Sequence, residues 1–135
     1  MPSAPSQPPR YVQARTTPEA LVLTVTEPRL NGDAIANALR HELLAAVASV
    51  HRPRVVLDLR PVLSLSSTAL RPLMALQRDI RDKGGALVLC NLSRVVAEVL
   101  NTTRLIGMGR SSSAPFQVAP DLATAVAALS ADDAS

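Results

Sequence analysis

The sequence predicts an α/β fold with a mainly parallel central sheet of four to five strands and about four helices. Three observations lead to this prediction. Short runs rich in Val and Leu alternate along the chain with segments in which apolar residues recur every three or four positions. The chain has 135 residues, 47% hydrophobic and 19% charged, which suits one domain with a single core. Tyr11 and Phe116 are its only aromatic residues, so the core is expected to be aliphatic.

The predicted elements begin after a proline-rich segment. Residues 1–10 hold four prolines and are predicted to be a disordered lead-in. Residues 11–130 are predicted to form the domain, and residues 131–135 a frayed tail. An edge strand is expected near residues 11–15, and a strand rich in β-branched residues over residues 21–26.

A helix is predicted to follow this second strand. Asp33 is its expected N-cap, and the helix is expected to run to about Val50. Apolar residues spaced by three and four form one stripe along it: Ile35, Leu39, Leu43 and Val47. His41 and Glu42 are expected on or near the opposite face. Residues 51–53, His-Arg-Pro, are expected to end the helix before the next strand.

The central strand is predicted over residues 55–59, between Pro53 and Pro61, and its apolar run indicates burial on both faces. A polar cluster follows: Ser64, Ser66, Ser67 and Thr68. The apolar spacing then becomes helical from about Ser67 to Lys83. The hydroxyls therefore fall at a helix N-terminus, where one of them is expected to cap the helix. A phosphate there would meet unpaired N–H groups.

The remaining elements continue the alternation. A third strand is predicted over residues 86–90, and Asn91 or Ser93 is expected to cap the next helix. A short strand is predicted near residues 116–118. Asp121 then opens a last helix.

The sequence contains no recognisable catalytic constellation, so we do not expect an enzyme, a metal site or a cofactor. His41 and His51 have no Cys, Asp or Glu at ligand spacing. Ser67 lacks the flanking glycines of a hydrolase turn, and no Gly-rich phosphate loop with a lysine occurs. Asp58 suits either a general base or a hydrogen-bonding role at the end of its strand; the second is favoured.

Charge and hydropathy exclude further classes of function. The net charge is +3, and thirteen of the fourteen basic residues are Arg scattered singly along the chain. With so few aromatic side chains, we expect no nucleic-acid partner. The sequence has neither a signal peptide nor a membrane-spanning apolar run, so we expect a cytoplasmic protein without membrane insertion. Cys90 is expected to be a small buried hydrophobe.

The order of elements and the local motifs resemble the STAS domain of bacterial anti-sigma-factor antagonists. The resemblance covers about residues 19–130. It depends on an apolar strand ending in Asp-Leu, a serine-containing signature that opens a helix, a Gly-Gly before the next strand, and the helix and loop that follow. These motifs match residues 55–59, 65–70, 83–89, 91–100 and 103–108.

The resemblance implies a phosphorylation switch. In the family, a partner kinase that is also an anti-sigma factor phosphorylates the signature serine, which corresponds to Ser67, with Thr68 and Ser66 as alternative acceptors. The implied partner-binding residues are Ser66, Ser67, Thr68, Ala69, Arg71 and Asp58. This chain departs from the signature, because Ser66 replaces an aspartate, Ala69 and Arg71 replace glycines, and Pro72 follows, where it would remove a helical hydrogen bond.

The family also suggests alternatives without a phosphate switch. One is a structural subunit of a stress-signalling assembly like the stressosome, with other STAS subunits as partners. Another is an accessory subunit of a lipid-transport system. A homodimer is compatible with either role, and the sequence does not choose among them.

Overall fold

Helices pack on both faces of a five-stranded sheet. The computed structural model describes residues 11–103 and 116–134. The strands are β1 (Val12–Thr16), β2 (Leu21–Val25), β3 (Arg29–Leu30), β4 (Arg54–Asp58), β5 (Ser64–Leu65), β6 (Ala86–Cys90) and β7 (Gln117–Ala119). The helices are α1 (Asp33–Val47), α2 (Leu70–Asp82), α3 (Arg94–Thr102) and α4 (Leu122–Ala134), and a 3₁₀ turn (Ser67–Ala69) precedes α2.

The strand order of the large sheet is β1-β2-β4-β6-β7. β1 runs antiparallel to β2 and pairs Val12 with Val25, whereas the other neighbours are parallel, with Val55 of β4 opposite Leu21 and Leu87. The predicted α/β class and mainly parallel sheet are therefore confirmed. β3 and β5 form a separate parallel pair, which was not predicted because two-residue strands show no periodicity.

β4 lies at the centre of the sheet and is buried from both sides. Val55, Val56 and Leu57 have no exposed surface. Successive side chains of a strand point to opposite faces. Val55 and Leu57 accordingly pack in the larger apolar cluster with α1, α2 and α3, whereas Val56 packs with Ala125 and Leu129 of α4. The prediction of burial on both faces is confirmed.

Helix α1 begins and ends earlier than predicted. Gly32 is the N-cap residue, with φ 92° and ψ 162°, so the prediction of Asp33 as N-cap is wrong and Asp33 is the first helical residue. Glycine adopts this positive φ without strain, and its carbonyl accepts a hydrogen bond from the Ala36 N–H at 3.1 Å. The helix ends at Val47, because the Val50 N–H bonds to the Val47 carbonyl, only three residues back, at 3.2 Å.

Glu42 of α1 ties the helix to the edge strand. Its two carboxylate oxygens accept from the Tyr11 N–H at 2.9 and 3.1 Å, and one of them also accepts from the Val12 N–H at 3.1 Å. The expected placement of Glu42 on or near the face opposite the stripe is therefore wrong. Donors at the start of an edge strand need an acceptor, and this carboxylate supplies one. His41 is exposed.

The helix predicted over residues 67–83 forms in two pieces, the 3₁₀ turn and α2. Its predicted glycine stop is confirmed. Gly84 has φ 74°, and its N–H donates to the Arg81 carbonyl at 2.9 Å. A side chain on Gly85 would collide with the carbonyl oxygen of Pro53, so this second glycine permits the close approach of the chain before β4.

The C-terminal part follows the predicted order. Ser93, one of the two candidate caps, accepts from the Val96 N–H at 3.2 Å and starts α3. β7 lies close to the strand expected near residues 116–118. α4 continues to Ala134, through most of the segment predicted as a tail. The predicted lead-in at residues 1–10 lies outside the described residues, and the domain boundaries stay predictions.

Candidate functional site

The predicted site lies at the edge of the sheet where the parallel strands end. Asp58, the last residue of β4, is in register with Cys90, the last residue of β6. The Leu59 N–H donates to the Cys90 carbonyl at 3.1 Å, so the chain leaves both strands at one edge. Ligand sites of open α/β sheets gather outside these carboxyl ends.

Hydrogen bonds to β3 hold the segment that carries the serines, residues 63–72, which we call the rim segment. The Leu63 N–H donates to the Pro28 carbonyl at 2.7 Å, and the Ser66 N–H donates to the Leu30 carbonyl at 2.9 Å. The Leu30 side chain is fully buried. The rim segment is therefore fixed through β3 to the apolar core.

Ser67 is exposed at the first position of the 3₁₀ turn. Ser66 before it is extended, and its carbonyl accepts from the Ala69 N–H at 3.0 Å. Its hydroxyl donates to the Leu30 carbonyl at 3.3 Å instead of capping the turn. The prediction of a hydroxyl cap is wrong, since no side chain forms a cap bond at the start of the 3₁₀ turn or of α2, both among the described residues.

Burial divides the other residues of the rim segment. Thr68 is half-buried and Arg71 is exposed. Ala69 is only 1% exposed, so it offers almost no surface to a partner in this conformation. Four of the predicted contact residues reach the surface together: Ser66, Ser67, Thr68 and Arg71.

Pro72 is buried at the third position of α2. The first four N–H groups of an α-helix have no acceptor within the helix, so the missing N–H of a proline costs little there. Helical bonding already begins in the 3₁₀ turn, where the Ala69 N–H donates to the Ser66 carbonyl, so Pro72 still removes the donor expected from the sequence, close to the junction with α2.

Asp58 joins the turns that follow the two central strands. Its Oδ1 accepts from the Arg60 N–H at 2.9 Å and from Asn91 Nδ2 at 3.1 Å. Asn91 has φ 58°, a left-handed conformation that asparagine tolerates. This is the hydrogen-bonding role that the sequence favoured for Asp58, which remains half-buried.

The structure adds three residues to the site that the sequence analysis did not select. Arg29 pairs with Ser64 across β3 and β5, and Arg60 follows β4; both side chains are exposed and have no ion pair with the described part of the chain. Leu63, the first residue of the rim segment, is 60% exposed. The positions of Arg29 and Arg60 shortly after the strands predicted over residues 21–26 and 55–59 were the available signal.

Among the described residues, the side chains that could bind a metal ion form no second candidate site. Within residues 11–103 and 116–134, no group of three or more His, Cys, Asp or Glu is placed to hold a metal ion. His41 and His51 are both exposed. The described helices include none with the length and apolar character needed to cross a membrane. The loop at residues 103–108 that resembles the family lies, except for Thr103, outside the described residues.

Cys90 is a buried free thiol, as the sequence predicted. Its burial, with smaller contributions from the negative charges of Asp58 and Asp121, raises the thiol pKa to about 12. A thiol is a nucleophile only as the thiolate, so Cys90 is chemically inert at neutral pH.

Solved structures with the same fold include known regulators. An anti-sigma-factor antagonist (STAS) domain protein of Planctomyces limnophilus has a TM-score of 0.71 at 18% identity, covering 87% of this chain and 96% of its own. An anti-sigma factor antagonist of Mycobacterium paratuberculosis has a TM-score of 0.70 at 22% identity, covering 88% and 92%. A chain of the stressosome has a TM-score of 0.68 at 17% identity, covering 91% and 100%.

A partial match of another kind is 34% identical over 76 residues to the phosphonates import ATP-binding protein PhnC of Thiobacillus denitrificans. The match covers 56% of this chain but only 29% of the length of that curated relative. The printed sequence holds no Gly-rich phosphate-binding loop.

The family assignment agrees with the geometry. The family model for the STAS domain matches residues 11–125, from the start of β1 into α4. The matched region contains the parallel strands, the rim segment and the exposed serine. The predicted resemblance is thereby confirmed: this chain belongs to the STAS domain family.

Proposed function

We propose that this STAS domain is a non-enzymatic, cytoplasmic regulatory module that binds a serine kinase acting as an anti-sigma factor. The contact surface consists of Ser66, Ser67, Thr68 and Arg71, with Asp58 at the end of β4 as a further contact residue. Phosphorylation of Ser67 switches this contact. The observation that carries the proposal is the exposure of Ser67 at the start of a helical segment whose backbone is held by β3.

A fixed and exposed serine suits a switch for two physical reasons. The hydrogen bonds of the rim segment to Pro28 and Leu30 keep the Ser67 hydroxyl at a defined place on the surface, so a partner can approach it without unfolding the chain. A phosphate adds a charge of about −1.5 to −2. A partner packed closely over the unmodified serine would have to desolvate that charge, and the complex would dissociate.

The experiment is phosphorylation by a defined kinase. The chain is incubated with ATP and each purified serine kinase or anti-sigma factor encoded beside its gene, and the phosphate is located by mass spectrometry. We expect one phosphate on Ser67, lost in Ser67→Ala. Binding of the same kinase, measured by calorimetry, is expected to weaken after modification.

The matched control is Ser49→Ala, a change at an exposed serine just beyond α1, which should leave labelling intact. Labelling that avoids both Ser67 and Thr68 with every kinase would refute the switch. Unchanged affinity of the phosphorylated chain would refute its regulatory role.

A second candidate function is a structural STAS subunit of a stressosome-like assembly without a phosphate switch. It is favoured by the exposed Arg71, where the family signature has glycine, and by the likeness of the fold to a stressosome chain. Light scattering of the chain, alone and mixed with STAS proteins of the same operon, tests it. Assembly independent of ATP and kinase is expected; monomers in every mixture would contradict it.

A further inference from the structure

Ser67 and Arg71 lie four residues apart in the segment that opens α2. Both side chains are exposed, whereas Ala69 and Leu70 between them are 1% and 8% exposed and Pro72 after them is buried. In a 3₁₀ turn, residues three apart lie above one another, so Arg71, one α-helical residue beyond Leu70, is rotated from the direction of Ser67 by about 100°. The serine hydroxyl and the guanidinium both reach the solvent at the start of α2.

The two residues are also one turn apart along the backbone. The Leu70 N–H closes the 3₁₀ turn on the Ser67 carbonyl, and Arg71 is the next residue. The four-residue step rises about 7.5 Å along the axis, since three residues rise at the 3₁₀ value and one at the α-helical value. The long flexible stem of arginine bridges that gap to a phosphate group.

The guanidinium of Arg71 is not engaged elsewhere in the described part of the chain, where it forms no ion pair. The nearest acidic residue along α2, Asp79, pairs with Lys83 at 3.0 Å. Arg71 thus presents a cation one turn from the serine, with no carboxylate of the helix in competition for it.

We propose that Arg71 is the receptor, within the same chain, for a phosphate on Ser67. The inference rests on the proposed function for the modification itself, in which the γ-phosphoryl group of ATP passes to Ser67 Oγ, the hydroxyl proton is released and ADP leaves. The dianion then accepts charge-assisted hydrogen bonds from the planar guanidinium, a geometry that arginine matches well. Arg71 stands where the family signature has glycine, and its side chain binds the phosphate of the modified serine.

The ion pair between Arg71 and the phosphate changes the charges that this surface presents to a partner. Before modification, Arg71 is a free cation beside an uncharged serine, and an acidic group of a partner can pair with it. After modification, the guanidinium is occupied by the phosphate of its own chain. Phosphorylation therefore adds a negative charge and withdraws a positive one in a single step.

The test places phosphoserine at position 67 during translation, so no kinase is needed. The second ionisation of the phosphate is followed by ³¹P NMR at low salt in the otherwise unchanged chain, in Arg71→Gln and in Arg78→Gln. Arg78 is the matched control, because it is exposed on the same helix but seven residues beyond Arg71. An ordinary phosphoserine has its second pKa near about 6.

We expect a pKa below that value in the unchanged chain and in Arg78→Gln, and a rise of about 0.2–0.7 in Arg71→Gln, the size given by an exposed ion pair. Added salt should raise the pKa of the unchanged chain toward the ordinary value. Equal titration of the unchanged chain and Arg71→Gln would overturn the proposal, as would an equal rise in Arg78→Gln. A kinase assay that fails at Ser67 defeats the proposed function but leaves this titration valid.

Discussion

Strand β4 and the rim segment follow one another in the chain, yet different forces hold them. β4 is paired on both sides, with β2 and β6, and its three central side chains have no exposed surface. The rim segment is tied on one side, through β3, and its side chains alternate between buried and exposed. Apolar burial dominates the first region, whereas the second combines buried anchors, among them Leu65 and Leu70, with backbone hydrogen bonds that position its exposed residues.

This difference explains how residues 54–72 contribute both to the stability of the fold and to the proposed binding surface. Side chains of β4 cannot change without opening the core, whereas Ser67, Arg71 and Leu63 can change without loss of packing. We therefore expect substitutions in β4 to alter the free energy of unfolding, and those at exposed rim positions to alter binding. The first prediction tests this contrast directly, and two others extend it to a capping serine and to the buried thiol.

The largest expected effect comes from one leucine in each region. Leu57→Ala removes a side chain with no exposed surface and should lower the free energy of unfolding by about 2–5 kcal/mol. Leu63→Ala, at a residue 60% exposed, should change it by at most about 0.5 kcal/mol. Urea unfolding followed by circular dichroism measures both. Similar costs for the two variants would mean that the Leu63 side chain is packed like a core residue.

A smaller effect separates two serines at helix starts. Ser93 Oγ accepts from the Val96 N–H, so Ser93→Ala should cost about 1 kcal/mol of stability. Ser67 forms no cap bond, so Ser67→Ala should be nearly neutral while removing the proposed phosphate acceptor. Thermal unfolding compares the two. A Ser67→Ala variant as unstable as Ser93→Ala would show that the hydroxyl serves the fold.

An effect that is absent at neutral pH concerns Cys90 at the end of β6. Its pKa is raised to about 12 in the folded chain from an ordinary value of 9.0, chiefly by burial, so the folded state holds its proton more tightly than the unfolded state. That contribution to stability is complete below about pH 9 and is lost as the pH rises toward 12. Urea unfolding at rising alkaline pH should show a steeper fall for the parent chain than for Cys90→Ala. Parallel curves would contradict the burial of the thiol.

Several features followed directly from local sequence. The continuous apolar run of β4 predicted a doubly buried strand, because only a strand covered on both faces can bury consecutive Val-Val-Leu side chains. Gly84 predicted the end of α2, since it adopts a positive φ at little cost. The change to helical apolar spacing after the polar cluster predicted Ser67 at the beginning of a helical segment, where it lies exposed.

Other features were decided only when distant segments met. Three contacts join residues about thirty or more positions apart. β3 pairs with β5, Glu42 accepts from the Tyr11 and Val12 N–H groups, and the Ser66 hydroxyl donates to the Leu30 carbonyl. Periodicity and capping rules describe neighbours along the chain, so they cannot reveal which backbone group will need a partner from elsewhere. The sequence by itself thus determined the longer strands and helices and the place of Ser67 at a helical start, while the tertiary structure alone determined which distant backbone groups hold that segment in place.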